Sequence, residues 1–122
     1  MKRGRSTGNP TKAQQARHDR IRELGCIVAH LRELDRIPCE IHHTTIGGKH
    51  GAKRRGHDFV LGLNQWSHRG DVLPGWTKEE CLELLGPSYA LEPLRFRNEI
   101  GRDDFLLAYQ AQILGETTGE SP

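Results

Sequence analysis

Two short stretches, residues 39–46 (CEIHHTTI) and 59–63 (FVLGL), have the β-branched and apolar character of strands. Between them lies GGKHGAKRRGHD, residues 47–58, a glycine-rich and strongly basic loop. Directly after the second stretch, Asn64 is well placed to cap a helix through Gln65-Trp66-Ser67-His68. The local order is therefore strand, long basic loop, strand, helix, and the rest of the chain reads as helices around it.

Thr11 is suited to cap a first helix through TKAQQARHDRIRELG, with Ala13, Ala16, Ile21 and Leu24 as a stripe and Gly25 as the stop. Residues 26–30 form a short apolar piece, and Leu31, Leu34 and Ile37 suggest one or two more helical turns before Pro38. Pro74-Gly75 marks a turn. Thr77-Lys78-Glu79-Glu80 reads as a capping box that opens a short helix over 81–85, ended by Gly86-Pro87. Residues 89–100 are ambiguous. Residues 103–114 read as an amphipathic helix with Phe105, Leu106, Tyr109, Ile113 and Leu114 as its apolar stripe. The expected fold class is α+β, a small single domain over residues 11–115. Residues 1–10 are expected to be a disordered basic arm, and 116–122 a frayed tail.

The core is that of a single small domain, with 34% of the 122 residues hydrophobic. No apolar run approaches the ~18 residues of a membrane span, and the basic N-terminus has no apolar segment of a secretory signal behind it. Three cysteines, Cys26, Cys39 and Cys81, are an odd number at irregular spacing, which suits reduced thiols. A cytoplasmic protein without a membrane partner, monomeric, is the expectation. The net charge of +2 hides an asymmetry: residues 1–70 carry 14 Lys/Arg against 6 Asp/Glu, residues 71–122 carry 4 against 10. All seven histidines lie in the basic part, which points to a polyanion such as nucleic acid.

His42 and His43, adjacent on a strand, face opposite ways. Asn64 and His68 stand one helical turn apart on one face. A strand histidine, a helix-start asparagine and a helix histidine can converge on one divalent cation, with the neighbouring strand histidine as a base beside it. That arrangement suits a phosphodiester, because a neutral imidazole can take a proton from water and Mg²⁺ held by few ligands can offset phosphate charge. Lys49, Lys53, Arg54 and Arg55 lie between the two halves of this site and are placed to contact phosphate, as is Arg69. The ordinary alternative for the loop residues is a solvated charge run. His57 and Asp58 could orient a site group or pin the loop. His50 reads as an exposed loop residue, His18 as a surface residue of the first helix, and Trp66 as a core anchor.

HisHis, a basic loop, Asn and His-Arg-Gly in this order resemble the HNH (ββα-metal) nucleases. More narrowly, the chain resembles the phage recombination-enhancement nucleases, the RecA-dependent Ref type. The resemblance is carried by Leu24-Gly25-Cys26-Ile27-Val28, Cys39-Glu40-Ile41-His42-His43, Arg55-Gly56-His57-Asp58 and Leu63-Asn64-Gln65-Trp66-Ser67-His68-Arg69-Gly70. Gly86-Pro87-Ser88 and the ending Phe96…Ile100-Gly101, then Leu106-Leu107, complete it. It implies a ββα-metal core flanked by helices at both ends, with His43 as general base and His42 and His68 as ligands of Mg²⁺ or Mn²⁺. Asn64 would be a third ligand or would fix the site geometry. The implied reaction is hydrolysis of DNA to 5′-phosphate and 3′-hydroxyl ends, directed by a RecA filament, in the cytoplasm of a bacterial host. DNA, single- and double-stranded, and RecA are the implied partners.

This sequence departs from the resemblance at a structural zinc site. Relatives of this type commonly carry Cys-x-x-Cys after the first helix and Cys-x-x-His-His at the next helix, whereas the matching positions here are Cys26, Ala29, Asn64 and Ser67. Three explanations compete: the zinc is lost; it is rebuilt from Cys26, His30 and Cys39 with one more donor; or Asn64 has moved to the catalytic ion. Loss of zinc with Asn64 at the active ion is favoured. Two other functions stand beside the enzyme: a degenerate domain that holds DNA without cutting it, and a zinc-finger-like adaptor for a protein partner.

Overall fold

Thr11 opens the first helix. In this computed structural model, which describes residues 8–45 and 53–116, its hydroxyl accepts from the Gln14 amide at 3.1 Å. The Gln14 side chain in turn accepts from the Thr11 amide at 2.8 Å. This reciprocal cap starts α1 (Lys12–Leu24), and Gly25 ends it at φ +89°, a conformation that L side chains resist. A five-residue α2 (Ile27–Leu31) follows, and its Ile27, Val28 and Ala29 are buried.

β1 (Glu40–His43) and β2 (Val60–Leu63) form an antiparallel ribbon, with Glu40 opposite Leu63, Ile41 opposite Gly62, His42 opposite Leu61 and His43 opposite Val60. Beyond the strands, Thr45 bridges Arg54. Gly62 is where α1 meets the ribbon: a Cβ there would stand 2.8 Å from both Ile21 Cγ2 and Cys39 Sγ. All four β2 residues are buried, which explains their unbroken apolar run.

α3 (Gln65–Arg69) leaves β2 at once. Its cap is Asn64, whose Oδ1 accepts from the Ser67 amide at 2.7 Å, and Gly70 ends it in the left-handed region. Trp66 is a core anchor: it is buried, and its indole nitrogen donates to the Gly86 carbonyl at 2.9 Å. After the turn at Pro74-Gly75, the Thr77–Glu80 capping box opens α4 (Lys78–Glu80), which continues as a π-helical turn, Cys81–Leu85. The ambiguous stretch contains α5 (Pro93–Glu99), which starts on a proline as helices often do. The last helix is α6 (Asp103–Leu114).

The buried face of α6 keeps Leu106, Tyr109 and Ile113 of the expected stripe against the core but leaves out Phe105. Leu106 and Gln110 are fully buried and Asp103 nearly so, whereas Phe105 is 53% exposed. The reason is Gln110, whose Oε1 accepts from the Gly62 amide and whose Nε2 donates to the Val60 carbonyl, both at 2.9 Å. One side-chain amide thus satisfies the outward backbone groups of β2 as a third strand would. The chain is a small single α+β domain, and no helix among the described residues is long and apolar enough to cross a membrane.

Candidate active site

The alternation of β1 sends its two histidines to different neighbourhoods. His42, 8% exposed, lies with its ring centroid 4.9 Å from that of His68 and 4.8 Å from that of Tyr89. Tyr89 is set there by its own amide, which donates to the Ser67 carbonyl of α3 at 2.8 Å. His68 projects from α3, and its Nδ1 lies 2.8 Å from Glu40 Oε1. A carboxylate can only accept, so Nδ1 carries the proton and Nε2 of the neutral ring keeps a lone pair. The Glu40 carboxylate also receives Arg69 on both oxygens. Partial burial pushes the Glu40 carboxyl up, but the hydrogen bonds from His68 and Arg69 outweigh it and hold the group below its ordinary value.

His43 belongs to a second group. Its Nε2 lies 3.0 Å from His57 Nδ1; His57 Nε2 lies 2.9 Å from the Gly8 carbonyl, and His18 Nε2 lies 2.8 Å from the His57 carbonyl. Burial, then the charge of Arg54 and the repulsion that the His57 and His18 rings exert when protonated, lowers the His43 pKa from 6.5 to about 4. His43 is therefore neutral at ordinary pH, the state in which an imidazole can accept a proton. His18 is 6% exposed, not the surface residue expected. Its helix turns it toward the 57–58 segment, where Arg17 also bonds the Asp58 carbonyl at 3.2 Å. Asp58 is exposed.

The basic residues are arranged unequally. Lys53 and Arg54 are exposed. Arg55 stacks on the Phe59 ring at 4.2 Å and pairs with Asp104 at 3.0 Å. Arg69 is shared between Glu40 and Asp71. Lys49 and His50 lie outside the described residues, as does most of the expected basic arm; of that arm Gly8 is tied to His57.

A model of the family described as "Recombination enhancement, RecA-dependent nuclease" matches residues 10–115. The chain belongs to this family. No curated protein and no solved structure matches it.

For a member of that family, the four positions singled out for a structural zinc are instructive. Cys26, Ala29, Asn64 and Ser67 are all buried, and three of them form one hydrogen-bonded cluster. Asn64 Nδ2 donates to Cys26 Sγ at 3.0 Å and to Ser67 Oγ at 3.2 Å, while its Oδ1 caps α3. Burial raises the Cys26 pKa, against hydrogen bonds that include those from the Ala29 backbone and Asn64, so the sulfur stays a thiol. A thiol, an amide, a hydroxyl and a methyl do not make a zinc donor set. Both ends of the Asn64 amide are engaged in this cluster, Oδ1 by the helix cap and Nδ2 by Cys26 and Ser67.

The alternative zinc set is not assembled either. His30 is exposed on α2, and Cys39 Sγ contacts the Ile21 carbonyl at 3.5 Å. Burial and the nearby Cys26 push the Cys39 thiol up to about 11, which keeps it protonated. Among the described residues, no three His, Cys, Asp or Glu side chains gather as a metal-holding group. The described residues that could hold a divalent ion are His42 and His68, with Glu40 orienting the second.

Sequence reasoning missed Glu40, Tyr89 and Arg97. Glu40 stands two residues before His42, on the same face of β1, which is a readable signal. Tyr89 and Arg97 carried none, because residues 89–100 had no clear periodicity. Arg97 donates to the Tyr89 hydroxyl at 3.0 Å and lies 5.3 Å from its ring, so α5 buttresses the wall behind His42.

Proposed function

We propose that this chain is a metal-dependent DNA endonuclease of the HNH type that acts in recombination with a RecA filament on DNA. The observation that carries the reading is the carboxylate-oriented His68 facing His42, in a chain whose family is one of RecA-dependent nucleases. His42 and His68 would hold one divalent ion, Mg²⁺ or Mn²⁺, which would offset the negative charge of the phosphate and of the leaving oxygen. His43, neutral and on the other face of β1, takes the proton of the attacking water. The new bond joins that oxygen to phosphorus, the bond to the 3′-oxygen breaks, and that oxygen takes a proton from solvent water, giving 5′-phosphate and 3′-hydroxyl ends. Because His42 and His43 point apart, the scissile phosphate has to lie across the strand that carries both. The exposed Lys53 and Arg54 hold flanking phosphates, and such contacts set position rather than sequence preference.

A second reading is a DNA-binding accessory that no longer cuts. It is favoured by the count of two imidazoles, rather than three donors, at the His42–His68 pair. One assay separates the two readings: nicking of plasmid and cleavage of single-stranded DNA with Mg²⁺ or Mn²⁺, with and without a RecA filament, wild type beside His43→Ala. Nicking that His43→Ala abolishes while DNA affinity is kept supports the enzyme. Tight DNA binding with no cutting under any of these conditions supports the accessory.

A further inference from the structure

The His57 and His18 rings meet beside His43, and backbone carbonyls fix where the protons of those two rings sit. A carbonyl only accepts, so the 2.9 Å contact with the Gly8 carbonyl places a proton on His57 Nε2, and the 2.8 Å contact with the His57 carbonyl places one on His18 Nε2. In the neutral His57 ring, Nδ1 then holds the lone pair. His43 Nε2, 3.0 Å from that lone pair, supplies the proton of the bond between the two rings. The other nitrogen of His43, Nδ1, is left without a proton.

We propose that His57 is a positioning residue that locks His43 in its Nε2–H tautomer, making Nδ1 the atom that receives the proton from water. The catalytic use of the lock rests on the nuclease reading above; the lock itself does not. Its chemistry is directional. Once Nδ1 has taken a proton, the Nε2–H bond to His57 becomes charge-assisted, and the His57 Nε2–H bond to Gly8 is polarised in turn. His18 contributes by gripping the His57 main chain from α1, so the acceptor cannot drift from His43. A single imidazole without this neighbour would rotate, and would offer water a donor as readily as an acceptor.

The test is ¹⁵N magnetic resonance on the full chain, with nicking kinetics beside it. We expect a scalar coupling across the hydrogen bond between His43 Nε2 and His57 Nδ1, and an unprotonated His43 Nδ1. His57→Leu should remove the coupling and lower kcat by about 10-fold or more, with KM for DNA unchanged. His57→Asn, whose Oδ1 falls near the place of Nδ1, should restore most of kcat. A proton found on His43 Nδ1 overturns the lock, and so does a His57→Asn variant as slow as His57→Leu. Wild-type chain that shows the coupling yet cuts no DNA with any divalent ion overturns the nuclease reading and the catalytic use of the lock together.

Discussion

Glu40 Oε1 lies 2.8 Å from Nδ1 of His68, while Arg69 engages the same carboxylate at 3.0 and 2.6 Å. The carboxylate therefore does two things: it aims the His68 ring and chooses which nitrogen is bare. If that nitrogen faces an ion, Glu40→Ala should weaken Mn²⁺ binding by about 10- to 100-fold, as loss of such a partner does elsewhere. Calorimetric titration of the folded variant is the check. Unaltered affinity would mean that His68 is oriented for the fold and not for a cation.

The suppressed basicity of His43 has a consequence for folding. An unfolded chain binds this proton near pH 6.5, and the native chain near pH 4. Above the higher value neither state is protonated and stability is unaffected. As pH falls from about 6.5 toward about 4, the unfolded state alone gains the proton, so the native state loses ground; below about 4 the loss levels off. Urea unfolding over that window should show a shallower decline for His43→Asn than for wild type. Parallel declines would mean that the imidazole is not held neutral.

Asn64 caps α3 and holds the buried Cys26 and Ser67. Its replacement by alanine removes a helix cap and strips partners from the buried Cys26 and Ser67, at a cost of about 1–3 kcal/mol. Denaturant melts should record that loss while Mn²⁺ affinity stays within error of wild type. The opposite result, intact stability with affinity reduced tenfold, would return Asn64 to the ion.

The caps were the most legible part of this chain. Thr11, Asn64 and Thr77 each announce a helix through a side chain that bonds a backbone amide two or three residues on, a purely local device. The two strands were legible for the same reason. What failed was long-range. His18 looks like one more polar residue on a charged helix, and only the approach of the 57–58 segment makes it interior. Nothing local marks Gln110 as buried, since amides usually face water, yet a strand edge about fifty residues earlier gives it two partners. Asn64 reads as a cap from the sequence, but its contacts with Cys26 and Ser67 depend on how the chain folds back and are not legible there.

The Gln110 amide also has a bearing on how this protein behaves in company. A two-stranded ribbon ordinarily offers its outer backbone as a template onto which a neighbour can zip, the first step toward fibrils. Here the groups that such a visitor would need at Val60 and Gly62 are already taken by a side chain from the far end of the same polypeptide. That margin of the ribbon is closed from within.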